Sequence, residues 1–214
     1  DSVTISPSPA SGYTQTRTIS LSGAASGQTL ESKVGTGEWT TYSSAFTINE
    51  NTNVYARLTD GVNTTEVTSS ETYNESLIDR TAPTIAYSIN SSSLGTNNWY
   101  SSLVLKGTIT ESESGVGSTM YCVTTGSTCT PDQTATVTNN EFTVTMPNNT
   151  SAERLCTKVI DSVGNESGVE CSSTYQVDTP TINLAQPTKT GYTFVGWTGS
   201  NGETPEREVS IECG

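Results

Sequence analysis

The sequence predicts an all-β protein: two β-sandwiches in tandem, followed by the start of a third β unit. Three observations carry this. No segment of the 214 residues repeats its apolar side chains at a 3.6-residue period, so no helix is expected. Short runs of alternating apolar and polar residues recur along the chain, bounded by Gly, Asn, Pro and Ser. Only 31% of residues are apolar, yet there are nine Tyr and three Trp, which suits thin sandwiches with solvated outer faces better than a disordered chain.

A loose internal repeat sets the size of each unit. Residues 53–73 read NVYARLTDGVNTTEVTSSETY and residues 155–175 read LCTKVIDSVGNESGVECSSTY. In both, a strand runs into Asp, a Gly/Asn turn follows, and a second strand ends in Thr-Tyr. Asp60 aligns with Asp161 and Tyr73 with Tyr175, a period of about a hundred residues, which is the size of one immunoglobulin-like sandwich. The first unit is read as strands near 2–6, 15–21, 29–34, 44–49, 53–59 and 64–72. The second is read as strands near 83–88, 102–110, 118–124, 129–137, 140–146, 153–160 and 168–176, with 129–137 the weakest because alanine is a poor strand former. Pro83 and Pro180 cannot donate to a ladder and mark the starts of new units. The expected division is therefore 1–79, 80–178 and 179–214.

The cysteines sit only in the later part of the chain. Four lie between residues 122 and 171, and Cys213 stands alone. Three pairings are open to the four. Cys122 and Cys129 bracket one turn and Cys156 and Cys171 another, so pairing across each hairpin needs the least rearrangement and is preferred. Disulfides imply an oxidising, extracellular setting, and staples of a few kcal/mol are most useful to a thin sandwich.

Charge and composition exclude several function classes. Nine Lys plus Arg against 22 Asp plus Glu give a net charge of −13, which repels nucleic acid and anionic lipid. No stretch approaches the roughly 20 apolar residues of a membrane helix. Histidine is absent from the sequence, which rules out a Ser-His-Asp relay and removes the commonest metal ligand. Glu111 and Glu113 are placed on one strand face as a carboxylate pair, but the reading preferred is two solvated carboxylates, and the chain is expected not to be an enzyme.

An ordered set of short motifs carries a family resemblance. Asp-Arg-Thr-Ala-Pro-Thr (79–84), Asn-Trp-Tyr (98–100), Glu-Ser-Glu-Ser-Gly-Val (111–116) and Val-Ile-Asp-Ser-Val-Gly-Asn-Glu-Ser (159–167) resemble, in that order, the bacterial Ig-like repeats of large cell-surface proteins. The first unit, with Ile5-Ser6-Pro7-Ser8-Pro9 and Glu38-Trp39-Thr40-Thr41-Tyr42, is similar to the same broad group but has Asp60-Gly61-Val62-Asn63 where Gly-Asn spacing is usual. Residues 187–197, ending in Gly191-Tyr192-Thr193-Phe194-Val195-Gly196-Trp197, resemble the internalin-type B repeat, also called the Listeria–Bacteroides repeat. Strands are expected at Gly191 to Trp197 and Arg207 to Ile211. The resemblance implies a slice of a longer surface protein cut inside a third module, which would strand Cys213.

The resemblance also frames the candidate sites. Some such repeats hold calcium at junction aspartates, and Asp79, Asp161 and Asp178 match that placement, although an Asp before a turn more often caps its own backbone. Others join Lys to Asn or Asp by an isopeptide bond. Lys106 and Lys158 fall in strands of the second unit, with Asp161 and Asn165 near its end, while Lys33 and Lys189 lie outside it. Trp39, Tyr42, Trp99 and Tyr100 offer flat faces to a sugar, against the ordinary role of a sandwich Trp in the core. The Asn-x-Ser/Thr triplets, beginning at Asn63, Asn74, Asn90, Asn148, Asn149 and Asn165, are what a chain rich in these residues makes by chance.

Together these imply non-catalytic stalk or spacer modules of a bacterial surface or secreted adhesin-like protein, acting as a monomeric rod with no cofactor. The alternatives are that the domains themselves bind a host glycan or matrix protein, or that they accompany a secreted glycosidase.

Overall fold

The computed structural model describes residues 1–60, 66–94, 99–149, 151–178, 187–199 and 202–206. Sixteen strands and no helix are found among them. The protein is all-β. Contacts divide it into two compact units. The first comprises Asp1–Pro83 with Glu111–Ser118 and Val159–Ser167; the second comprises Thr84–Thr110, Thr119–Lys158 and the chain from Gly168 onward.

The first seven strands are β1 (Thr4–Ser8), β2 (Arg17–Ser22), β3 (Thr29–Val34), β4 (Thr40–Thr41), β5 (Phe46–Ile48), β6 (Val54–Thr59) and β7 (Val67–Tyr73). They form a three-stranded sheet ordered β1-β2-β5 and a four-stranded sheet ordered β4-β3-β6-β7, with every named pairing antiparallel. The period-two pattern explains the two faces. On β2, Arg17, Ile19 and Leu21 are buried while Thr18 and Ser22 are exposed, and on β6 Val54, Ala56 and Leu58 turn inward while Tyr55 and Arg57 turn out. The inward set from both sheets makes one core of Val3, Ile5, Ile19, Leu21, Ile48, Val54, Ala56 and Leu58. Two edges of the sheets are tied together by side chains, as the Val3 N–H donates to Ser69 Oγ (3.1 Å) and the Ile5 N–H to a Glu71 carboxylate oxygen (2.5 Å). This gives the unpaired donors of β1 partners inside the molecule.

The next seven repeat the plan: β8 (Thr84–Leu94), β9 (Tyr100–Thr110), β10 (Val116–Thr124), β11 (Gln133–Thr134), β12 (Glu141–Thr145), β13 (Arg154–Asp161) and β14 (Glu170–Cys171). One sheet is ordered β12-β9-β8 and the other β11-β10-β13-β14, which is the first arrangement strand for strand. Leu103, Leu105 and Ile109 of β9 turn inward with Phe142 and Val144 of β12. The Phe142 ring lies on Gly107, where a Cβ would stand 2.1 Å from it, so a side chain there would displace the buried ring.

The structure pairs Cys122 with Cys129 and Cys156 with Cys171, the latter directly opposite each other on β13 and β14. Two disulfides imply a non-reducing environment of the extracellular kind. Among the described residues no helix is long and apolar enough to cross a membrane.

Several elements differ from the sequence expectation. β4 was not expected; it is two residues of edge strand. The expected strand 129–137 is reduced to Gln133–Thr134, since Pro131 has no N–H and Cys129 is held by its disulfide. The expected strand 168–176 shrinks to Glu170–Cys171 because serine side chains take over part of the ladder: the Leu155 N–H donates to Ser172 Oγ and the Val159 N–H to Ser167 Oγ. In the C-terminal region residues 191–196 form no strand. A hairpin is made instead by β15 (Trp197–Gly199) and β16 (Gly202–Glu206). The strand expected at 207–211 lies outside the described residues, as do Cys213 and the sequon at Asn63.

Candidate functional site

Three of the acidic residues converge within the first unit. Asp79 follows an isolated parallel bridge between Thr14 and Ile78, and its N–H donates to Thr14 O (2.9 Å). Glu111 follows the last residue of β9, and Asp161 ends β13. One carboxylate oxygen from each lies within 4.8 Å of the others. Asp79 and Asp161 were expected to be candidate calcium ligands. Asp178 does not join them: it is half-buried in the second unit, where its N–H donates to Tyr100 O.

N–H donors surround these carboxylates. Asp161 Oδ1 accepts from the backbone of Val163 (2.9 Å) and Asn165 (2.8 Å), the latter possible because Gly164 takes a left-handed φ of 94° in the turn. Asp79 accepts from the Thr81 N–H (3.0 Å) and the Ser114 N–H (3.2 Å), and Glu111 from the Glu113 N–H (2.7 Å). The Asn165 amide is the centre of the group. Its Nδ2 donates to Asp161 Oδ2 (2.7 Å) and to the Asp79 carbonyl (3.2 Å), and its Oδ1 accepts from Gln15 Nε2 (3.0 Å). A carboxylate trio is a hard-oxygen donor set of the kind calcium takes. Here the Asn165 amide N–H bonds to both aspartates, so two members of the trio already receive donors that the chain itself supplies.

The charges respond to this enclosure. Burial opposes ionisation of Asp79, but hydrogen bonding from Ser114, the Thr81 backbone and Glu113 outweighs it and holds the pKa below the ordinary 3.8. Glu113 moves the other way, above the ordinary 4.5, first because it hydrogen-bonds to Asp79, then through desolvation and repulsion by Asp79 and Glu111. Glu111 and Glu113 lie in the loop between β9 and β10 and not on a strand. Their backbone turns there on the Glu111 side chain itself, so they do not face each other across a cleft as a glycosidase pair would.

The aromatic candidates separate. Tyr100 packs edge-on against Tyr175 at 6.0 Å and its backbone bonds to residues 176 and 178, which gives it a structural part; Trp99 beside it is half-buried. Trp39 is not a core residue. It lies half-buried with the Arg57 guanidinium 4.2 Å from its ring centre and Lys33 Nζ at 5.5 Å, and Arg57 is ion-paired with Glu31 at 2.7 Å. Tyr42 packs edge-on to Phe46 against the core. Lys106 forms an ion pair with Glu141 at 2.8 Å across β9 and β12, so its ammonium is engaged by a surface carboxylate.

Arg17 is the residue that sequence reasoning missed. It is fully buried and donates from Nε to Ser76 O (2.8 Å) and from its two terminal nitrogens to the carbonyls of Pro9 and Gly12. It clamps the loop before β2 to the segment after β7. A charged residue on an alternating strand reads as solvent-facing, and nothing in the local sequence shows the Ser76 carbonyl arriving from 59 residues away. Compared with models of known protein families and with curated proteins, the chain matches none.

Proposed function

We propose that this chain is a non-catalytic spacer from a bacterial cell-surface or secreted adhesin-like protein: two immunoglobulin-like sandwiches followed by part of an internalin-type B repeat. It acts outside the cell, as a monomer, and needs no cofactor. The ordered motifs that resemble bacterial Ig-like repeats support this reading, and so do the two disulfides and the matching strand orders of the two seven-stranded sets. The observation that carries it is the treatment of the linker. Asp79 is fully buried, its backbone is bonded to Thr14 and to Asn165, and both its carboxylate oxygens accept hydrogen bonds. Arg80, Thr81 and Ala82 beyond it are exposed, so it is the hydrogen bonding of Asp79, and not burial of the whole segment, that favours a tied linker over a free one. A spacer gains from a linker that is fixed.

Backbone ¹⁵N relaxation on the whole chain tests this. Amides of residues 79–82 are expected to match the strands, with order parameters near 0.85, whereas values below about 0.6 would make the linker flexible and overturn the spacer reading. The trio of Asp79, Glu111 and Asp161 is proposed to work without a cation. Calcium in excess over the chain is then expected to leave the melting temperature of the first unit in place, and a saturable rise would assign the trio to a metal instead.

A further inference from the structure

A bare sheet edge is a template for another strand, and most edges of the two seven-stranded sets are blunted. β4, β11 and β14 are two residues long, and β5 is three. β1 carries Pro7, and its Ile5 N–H is taken by Glu71 of β7, the edge of the facing sheet. β12 carries Glu141, ion-paired with Lys106. β8 differs from all of these. It stands outermost in the order β12-β9-β8, is eleven residues long, and reads Thr-Ile-Ala-Tyr-Ser-Ile-Asn-Ser-Ser-Ser-Leu, with no proline and no charge. Among the described residues no strand but β9 pairs with it.

The near half of β8 is the part shaped to receive a strand. Its register with β9 slips between Ile89 and Ser91 and again between Ser93 and Leu94, and such bulges twist an edge away from a partner. Thr84–Ile89 keep an unbroken register. Ile85, Tyr87 and Ile89 form the row that turns toward the sandwich. Ile85 is buried and Tyr87 half-buried, but Ile89 is 42% exposed, so the apolar row runs out at the open edge. An apolar side chain on an added strand would cover it as a cross-strand neighbour. On the other face Thr84, Ala86 and Ser88 are small and exposed, and offer no steric or charged barrier. The charge of the chain selects the occupant. At −13 it repels a second copy of itself and draws in a basic segment, while the uncharged edge lets that segment come close.

We propose that the outer edge of β8, at Thr84–Ile89, binds an extended basic segment of another protein as an added strand, with an apolar residue beside Ile89. This goes beyond the spacer reading and does not depend on it, since a spacer is free to carry a partner on its flank. The test is a titration of the whole chain with the peptide Lys-Val-Thr-Val-Lys-Val-Thr-Val and with its counterpart bearing Glu for Lys, followed by amide shifts. The basic peptide is expected to give saturable shifts at Thr84–Ile89, and the acidic one to bind at least about tenfold more weakly. Ala86→Lys places a like charge on the exposed face of the edge, and is expected to abolish the β8 shifts while the signals of β9 and β12 stay in place. Equal binding of the two peptides, shifts that Ala86→Lys leaves unchanged, or no saturable shift on β8 would each overturn the proposal. Self-association of the chain that Ala86→Lys removes, read by sedimentation, would overturn it too, by making a second copy the occupant.

Discussion

The two seven-stranded sets have the same strand order and are secured by different chemistry. Strands β1–β7 contain no cysteine and rely on polar clamps. Arg17 gathers three carbonyls, and Asn51 holds residue 78 by donating from Nδ2 to its carbonyl (2.8 Å) and accepting its N–H (2.6 Å). Strands β8–β14 carry two disulfides and a half-buried tyrosine, Tyr87, which donates to Glu170 O at 2.8 Å and whose pKa is pushed up to about 12, chiefly by desolvation. The same topology leaves the same weak points, namely the segments that flank the strands, and each set closes them with what its sequence offers. The equivalence extends to the exit. Thr14 accepts from Asp79 N and donates to Leu77 O, while Tyr100 accepts from Asp178 N and donates to Gln176 O. In both sets, a residue before or at the start of the second strand captures the segment that leaves the last one.

Breaking each fastening is expected to hurt only the set that owns it. The largest effect falls on the disulfide between β13 and β14. Its cysteines are 15 residues apart, and replacing both Cys156 and Cys171 by Ala should cost about 3 kcal/mol by releasing a loop of that length in the unfolded chain. Denaturant unfolding followed by signals from β8–β14 checks it; an unchanged midpoint would show that the bond is not a staple. Arg17→Leu is next, at about 2–3 kcal/mol, because it strips the donors from three carbonyls. That loss should appear in signals of β1–β7. A melt in which either variant lowers both sets equally would mean that they unfold as one and that the division of labour has no thermodynamic content.

The sequence carries the strands better than it carries these clamps, and the reason is range. β3 falls at residues 29–34 as the alternation predicts, and the absence of a 3.6-residue period is matched by the absence of helix among the described residues. Periodicity is local, so it is legible. Arg17 and Ser76 meet over 59 residues, and Asp79 and Asn165 over 86, and neither meeting leaves a local mark. Asp79 and Asp161 stood out because they match the junction aspartates of the repeats the chain resembles, while Glu111 was set aside in a carboxylate pair with Glu113 although its neighbours in space are the two aspartates. β14 fails as a long strand for a related reason. Ser167 and Ser172 look like ordinary strand residues, and only the fold shows that their hydroxyls replace ladder acceptors.

The exits sharpen the comparison, because equivalent backbone positions carry unequal side chains. Asp79 is enclosed; Asp178 has no hydrogen bond to its carboxylate among the described residues. Asp79→Ala is therefore expected to cost about 2 kcal/mol, and Asp178→Ala less than about 0.5. Equal losses at both positions would make the backbone capture, and not the carboxylate, the source of the stability.

The acid titration follows from the same enclosure and is the smallest effect, since it asks about protons and leaves every atom in place. The folded pKa of Asp79 is below 3.8, so its stabilisation is fully present above that value and fades as the pH drops through the lowered one. Glu113 is raised above 4.5, so the folded state binds its proton more tightly than the unfolded state, and stability rises as the pH falls through that raised value. The two shifts act in sequence. Acidification first places a proton on Glu113, relieving its repulsion with Asp79 and Glu111, and only later removes the charge that the N–H donors around Asp79 hold. The melting temperature of the first unit should hold or climb slightly on approach to pH 4.5 and then fall below 3.8. Glu113→Gln should flatten the upper part and keep the fall, and Asp79→Asn should reduce the fall. A decline that begins well above 4.5 and is indifferent to Glu113 would mean that the carboxylates of the loop between β9 and β10 titrate independently of Asp79, and that the linker is held by its backbone alone.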